Sequence, residues 1–308
     1  MTSEPLLPYL QVPELVLLPK HLLGSFPSFD ISLKPFGILV ATGVYLGSYL
    51  AVRQARRVGL SEAILTSFIS WVLVVGFVSA HVLDVIFYYP GQVLHDPWSL
   101  VRLWEGLSSF GGFTGGLLGA ICWKLRHRAK ILPYADMIAS AFPTAWVFGR
   151  MGCTTAHDHP GLHSDLWFAV RYPDGGRFDL GLYEMLLTIP LAVAFLLLRR
   201  QRRPWGFYCS LMSIAYAPVR FALDFLRERE RVVEAGGQLS VVDPRYAGLT
   251  PAQWACLGLL AFGVFLFVRT LRGAGRPEAF APPVASESGA SALAALPEAA
   301  PSEIKPES

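Results

Sequence analysis

Residues 149–161 read GRMGCTTAHDHPG and bring an arginine, a cysteine, two histidines and an aspartate close together in the chain. Several chemistries use such side chains. An imidazole titrates near neutral pH and suits proton transfer, so His157 or His159 is a candidate to take a proton from a substrate thiol, with His81 as a third. Cys153 with His157 as base and Asp158 to orient it would make a nucleophile for acyl transfer; Cys153 also reads as a small buried thiol. His157, Asp158 and His159 offer nitrogen and oxygen ligands to a metal, with His81 or His163 as further partners. Adjacent side chains rarely all point at one ion, so the sequence assigns no metal and no cofactor.

Other charged residues stand in apolar surroundings: His81 and Asp84 in SAHVLDVIFYY, Asp136, Arg150, Glu184 in LYEMLL, and Arg220, Asp224 and Arg227 in VRFALDFLRERE. A charge at membrane depth costs at least ~2.5 kcal/mol on insertion scales and marks a paired contact or a function. Arg220 and Asp224 are spaced for one helix face, with Arg227 on the same side. Arg227 reads equally as an interfacial side chain. Arg150 and Arg220, from different helices at one depth, would clamp an anionic lipid headgroup, because guanidinium presents a planar fork to phosphate oxygens.

The elements that must carry these residues are membrane helices. Of 308 residues 53% are hydrophobic and 16% charged, against about 25% charged in a soluble domain. Apolar runs near 36–53, 64–88, 107–124, 132–152, 180–198, 205–226 and 252–269 predict an all-α polytopic membrane protein of about seven transmembrane helices. Arginine and lysine crowd the odd connections (Arg53, Arg56, Arg57; Lys124, Arg126, Arg128, Lys130; Arg199, Arg200, Arg202, Arg203; Arg269, Arg272, Arg276) and are sparse in PGQVLHDPWSL. Short basic loops stay in the cytoplasm, so the N-terminus is expected outside and the C-terminus in the cytoplasm. His81, Arg150, Glu184, Arg220 and Asp224 then fall towards the outer face and Asp136 towards the inner one. The organisation expected is an interfacial segment (1–33), a seven-helix domain (34–273) with outer loops near 153–179 and 227–250, and a Pro/Ala/Ser/Glu-rich disordered tail (274–308). Four cysteines without a CxxC pairing argue against a disulfide framework or a zinc knuckle.

The third run opens GLSSFGGFTGGLLGA. Its small-xxx-small spacing (Gly112, Gly115, Gly116, Gly119) allows close helix approach. It would equally expose backbone around Gly115 and Gly116 to a lipid headgroup.

In order along the chain, SFGGFTGGLLG, the D…P…GRMG run (Asp136, Pro143, Gly149, Arg150, Gly152), LYE (182–184), RFALDFLRE and LTPAQW resemble the prolipoprotein diacylglyceryl transferase family of bacteria, from about residue 30 to 270. The resemblance implies transfer of a diacylglyceryl group from phosphatidylglycerol to the lipobox cysteine in a prolipoprotein signal peptide, forming a thioether and releasing glycerol phosphate. It implies an enzyme of the bacterial inner membrane whose active site faces outward. Phosphatidylglycerol, the prolipoprotein and membrane lipids are the implied partners; no nucleic acid is expected. Arg150 and Arg220 match the family's essential arginines, and Gly161 the glycine that ends its signature. Asp158 and Asp224 stand where the family has glutamates. Cys153 and Ala156 replace asparagines, His157 a glycine, Thr114 the histidine of span three, Phe36 a tyrosine and His81 an arginine. Two alternatives remain open: a diverged relative acting on another lipid or thiol acceptor, and a non-catalytic membrane protein that binds anionic lipid.

Overall fold

The computed structural model describes residues 5–18, 31–88, 93, 95–102, 106–227 and 245–274. Among these are seven α-helices of 17 to 27 residues: α1 (Pro35–Val58), α2 (Glu62–Tyr88), α3 (Ser109–His127), α4 (Ile131–Ala156), α5 (Leu180–Leu198), α6 (Phe207–Leu223) and α7 (Pro251–Arg269). Every apolar run expected from the sequence lies largely on one of them. Five, α1, α2, α5, α6 and α7, are long and apolar enough to cross a membrane. The other two carry glycines and charges, among them Lys124 and Arg126 in α3 and Asp136 and Arg150 in α4. Large apolar side chains such as Tyr45, Val74, Phe113, Leu117 and Phe265 point outward and exposed, an arrangement that lipid tolerates and water does not.

Helix ends follow local chemistry. Pro35 opens α1, where a missing N–H costs nothing. Thr250 and Gln253 form a reciprocal capping box at the start of α7. Asp179 caps α5 by accepting from Leu182 N at 2.9 Å. Asp136 reaches across from α4 to accept from Cys209 N at 2.9 Å in the first turn of α6. That contact explains a carboxylate buried near the start of α4.

The helices pack as α2 on α3, α1 on α4, α4 on α5, and α6 on α7, with α4 also touching α6. The glycine run of α3 faces α2. A Cβ on Gly111 would fall 2.6 Å from Ser79 O, one on Gly115 2.4 Å from Ser79 Cβ, and one on Gly119 2.6 Å from Trp71 O. Gly76 of α2 meets Gly112 and Gly116 in the same way. At Gly115 the backbone packs against α2, where the small-residue spacing serves helix approach; at Gly116 an added Cβ would meet only Val72 Cγ1 at 3.7 Å.

The chain is mainly helical, as expected, and also carries short strands. β1 (Leu15–Leu18) pairs antiparallel with β2 (Ile31–Leu33). The outer-loop stretch expected at 153–179 continues α4 to Ala156 and then forms a three-stranded antiparallel sheet. Its strands are β3 (Pro160–His163), β4 (Val170–Tyr172) and β5 (Gly175–Asp179), in the order β3-β5-β4. Strand β4 turns tightly into β5, with Tyr172 paired to Gly175. Arg177 hydrogen-bonds Asp174 at the turn and holds that carboxyl below its ordinary pKa range. The N-terminal segment docks here: Leu6 N donates to Trp167 O and Arg171 N to Leu7 O, both at 3.0 Å. Of the expected 227–250 loop and the 274–308 tail, residues 228–244 and 275–308 lie outside the described residues.

The bundle has two chemically different ends. At one, Lys124, Arg128, Lys130 and Arg269 line a common cleft, and Arg202 Nη2 donates to Arg57 O at 3.3 Å. Beside it a core of Ala51, Ala55, Leu65, Phe68, Trp123, Tyr134 and Met137 is buried. The end of α4, the three-stranded sheet and the start of α7 meet at the other.

Gly115→Val inserts atoms where Ser79 already sits and is expected to destabilise the fold by about 1–3 kcal/mol. Gly37→Ala, where nothing lies within 4 Å of the added methyl, should leave it unchanged. Thermal unfolding of both variants in detergent micelles checks the contrast.

Candidate active site

Arg150 lies on the last turns of α4 with only 13% of its side chain exposed. Its Nε is 3.1 Å from Glu184 Oε1 of α5, and its guanidinium sits 4.5 Å from the Trp146 ring centroid. Glu184 also accepts from Trp146 Nε1 at 2.9 Å and from Tyr216 O–H at 2.6 Å. One buried carboxylate thus ties α4, α5 and α6 together. An unpaired buried charge is costly, and several donors on one carboxylate offset its desolvation.

Arg220 donates from Nη1 to Asp224 Oδ1 at 3.0 Å, the pairing that the sequence spacing implies. Asp224 is buried and also accepts from the Thr250 hydroxyl. Gln253 Nε2 donates to Phe221 O at 3.3 Å, so the start of α7 locks the end of α6. Tyr216 stands one turn before Arg220 on the same helix. The two arginines are carried by α4 and α6, each with a carboxylate on one side. Arg227 has left the helix and forms an antiparallel bridge with Gly161. A Cβ on Gly161 would fall 2.6 Å from Leu226 O, so a side chain there would push the sheet off α6.

The three candidate histidines end in different places. His81 is wholly buried, with Nδ1 3.0 Å from Gly106 O and Nε2 2.9 Å from Ser99 O. Both nitrogens face backbone carbonyls, so His81 clips α2 to the segment before α3 and is not placed to take a proton from a substrate. His157 ends α4 in the left-handed conformation (φ 50). Its Nδ1 lies 2.8 Å from Asp179 Oδ2 and its Nε2 3.1 Å from Leu10 O. Tyr9 stacks on the ring at 3.9 Å. Tyr172 donates to the same Asp179 oxygen at 3.0 Å; burial first, and Asp179 next, push its pKa well above the ordinary value, so it stays a donor. His157 thus pins loop, sheet and N-terminal segment together, with both ring nitrogens engaged.

His159 projects the other way. Its Nδ1 meets Asp158 Oδ1, and both side chains are partly exposed, 36% and 40%. Cys153 is buried, with Arg150 Nη1 3.6 Å from its sulfur. Its place is set by Gly181 of α5, where a Cβ would come within 3.1 Å of Cys153 Cβ. The ligand atoms of Cys153, Asp158 and His159 lie within 4.8 Å of one another. The H-D-H tripeptide is thus split, and Cys153 takes the place that His157 was weighed for.

A family model described as prolipoprotein diacylglyceryl transferase matches residues 25–269. The chain belongs to the prolipoprotein diacylglyceryl transferase family. Relatives named phosphatidylglycerol--prolipoprotein diacylglyceryl transferase include one from Cereibacter sphaeroides strain ATCC 17029, 27% identical over 79% of this chain and 92% of the relative. Another, from Nitratidesulfovibrio vulgaris strain DSM 19637 / Miyazaki F, is 27% identical over 83% of this chain and 99% of its own length. A third, from Actinobacillus pleuropneumoniae serotype 3 strain JL03, is 29% identical over 75% and 96%. Within this transferase-family fold, the sequence reading missed Trp146 and Tyr216. Each stands four residues before an arginine, the helical spacing that puts both on one face.

Replacing Glu184 with leucine leaves Arg150 buried without its carboxylate and is expected to cost about 3–5 kcal/mol. Adding Arg150→Met should recover most of that loss. Denaturation of the two single variants and the double variant in micelles measures the coupling.

Proposed function

We propose that this chain transfers the diacylglyceryl group of phosphatidylglycerol to the lipobox cysteine of a prolipoprotein. The thioether forms and glycerol phosphate leaves. The observation that carries the reading is the pair Arg150 and Arg220, each held by a buried carboxylate, Glu184 and Asp224, in a chain of this family. The reaction is a displacement at an sp3 carbon. Sulfur attacks the terminal glyceryl carbon, the C–O bond to phosphate breaks, and the bonding electrons leave with the phosphate oxygen.

Each part of the site has a task in that step. Arg150 and Arg220 hold the phosphate with their remaining N–H groups, and charge growing on the departing oxygen strengthens those contacts. Glu184 and Asp224 fix the guanidinium groups before substrate arrives, so little reorganisation is needed. Tyr216 donates to Glu184 and so helps hold that carboxylate beside Arg150. Gly161 lets the sheet close over the end of α6. Generation of the thiolate falls to the corner of Asp158 and His159, because those side chains are partly exposed whereas those of His81 and His157 are buried. A neutral thiol is a weak nucleophile and its thiolate a strong one.

The placement in the membrane follows from charge. Seven crossings, with the basic end of the bundle in the cytoplasm, the N-terminus outside and the site at the outer face of a bacterial inner membrane, put Arg53, Arg57, Lys124, Arg199 and Arg269 where short basic segments reside. The described parts of the N-terminal segment, 5–18 and 31–33, then lie at the outer interface, with phosphatidylglycerol entering from the bilayer and the lipobox peptide from its signal sequence. Thr114 in place of the family's histidine favours a second reading, a relative that lipidates another thiol acceptor.

Incubation of the purified protein with labelled phosphatidylglycerol and a lipobox peptide should give a peptide heavier by one diacylglyceryl group, detected by mass spectrometry. Failure of the intact protein to form that thioether under lipid-rich conditions refutes the reading for this acceptor, and a different labelled thioether would establish the second. Arg220→Gln should slow product formation by about 100-fold or more. Arg220→Lys should recover only part, since an ammonium lacks the fork.

A further inference from the structure

We propose that Cys153, Asp158 and His159 form a zinc site at the outer end of α4, and that the ion activates the acceptor thiol. The role of the ion rests on the transferase reading; the site itself does not.

The donor set is one thiolate, one carboxylate and one imidazole. That combination suits Zn²⁺ among the divalent cations. Three protein ligands leave a fourth tetrahedral position open, the arrangement of catalytic rather than closed structural zinc. The ligand atoms already lie within 4.8 Å of one another. Coordination at about 2.0–2.3 Å places tetrahedral ligands about 3.5 Å apart, so an inward shift of roughly 1 Å completes the site. Asp158 and His159 are the partly exposed members and can rotate; Cys153 is the buried, fixed one.

The frame around the three residues is rigid. Cys153 is seated against Gly181. His157, pinned by Asp179, turns the chain so that the next two side chains face back towards Cys153. The His159 carbonyl accepts from Leu180 N at 3.2 Å, which anchors the loop to α5. Arg150 Nη1, 3.6 Å from the cysteine sulfur, donates to a zinc-bound thiolate as an outer-shell partner. Glu184 offsets its positive charge, so the cation site does not face a bare guanidinium. Two anionic ligands neutralise Zn²⁺, and a substrate thiolate in the fourth position leaves one net negative charge beside the arginine pair.

The chemistry then balances. The acceptor thiol binds the open position and releases its proton, because a coordinated thiol is deprotonated at neutral pH. Its sulfur forms the C–S bond, the C–O bond to phosphate breaks, and the proton ends on the phosphate of the released glycerol phosphate. Thr114 stands where the resemblance implies a histidine, and this route needs no imidazole from α3.

The test uses metal-stripped full-length protein in detergent micelles, titrated with Co²⁺ as a spectroscopic stand-in for Zn²⁺. One Co²⁺ per chain is expected, with tetrahedral d–d bands and a thiolate-to-cobalt charge-transfer band. Cys153→Ser should abolish that band, while Cys122→Ser, Cys209→Ser and Cys256→Ser keep it. Asp158→Asn and His159→Ala should weaken Co²⁺ binding by about 10–100-fold. No stoichiometric binding, or a band that survives Cys153→Ser, overturns the site. In the peptide-lipidation assay, metal removal should lower the rate at least tenfold and one equivalent of Zn²⁺ should restore it. Full activity of the stripped protein overturns the activating role. A cysteine-dependent cobalt band without thioether product from either stripped or zinc-loaded protein leaves the site standing and removes the transferase reading.

Discussion

A carboxylate buried between helices has to be fully supplied with donors, and Glu184 sets the terms for everything around it. Trp146, Arg150 and Tyr216 all turn towards it. The angle between α4, α5 and α6 is therefore tied to the position of one arginine. Residues that hold the helices together and residues that face the site are the same residues. A change that loosens the bundle there also moves the guanidinium, and stability and function are read out together.

The far side of the site is built differently. Asp224 and Thr250 join α6 to α7, and Gly161 brings the small sheet against the same helix end. His157 and Asp179 fasten that sheet to the last turn of α4. This end is thus closed by short polar links between elements far apart in sequence, whereas the basic end rests on an aromatic and aliphatic core. Polar links give each side chain a defined direction.

The mainly helical build and the five membrane-length helices were legible because apolar runs of that length are a strong signal, and Arg220 with Asp224 was legible because both lie close together at one helix end. Glu184 as the partner of Arg150 was not, since that pair spans two helices and no spacing rule connects them. The strands were missed although YPDGG carries the turn chemistry of a hairpin; a loop reading of a membrane protein passes over short strands. His157 and His159 looked interchangeable in sequence. The left-handed turn at His157 separates them, and a non-glycine residue in that conformation is decided by tertiary contacts such as Asp179 and Tyr9. The glycines of α3 were read equally for close helix approach and for a headgroup, and the contacts of Gly115 and Gly119 with α2 are the part their spacing described.

The hydrogen bonds between residues 6–7 and residues 167–171 carry a topological consequence. Partners in direct contact lie on one side of any barrier the chain threads. Whatever number of segments from α1 to α4 cross such a barrier, that number is even. The bridge from Gly161 to Arg227 applies the same parity to α5 and α6. α7 runs from Thr250 beside Asp224 to Arg269 beside Lys124, so residues 250 and 269 lie at the two chemically different ends of the bundle.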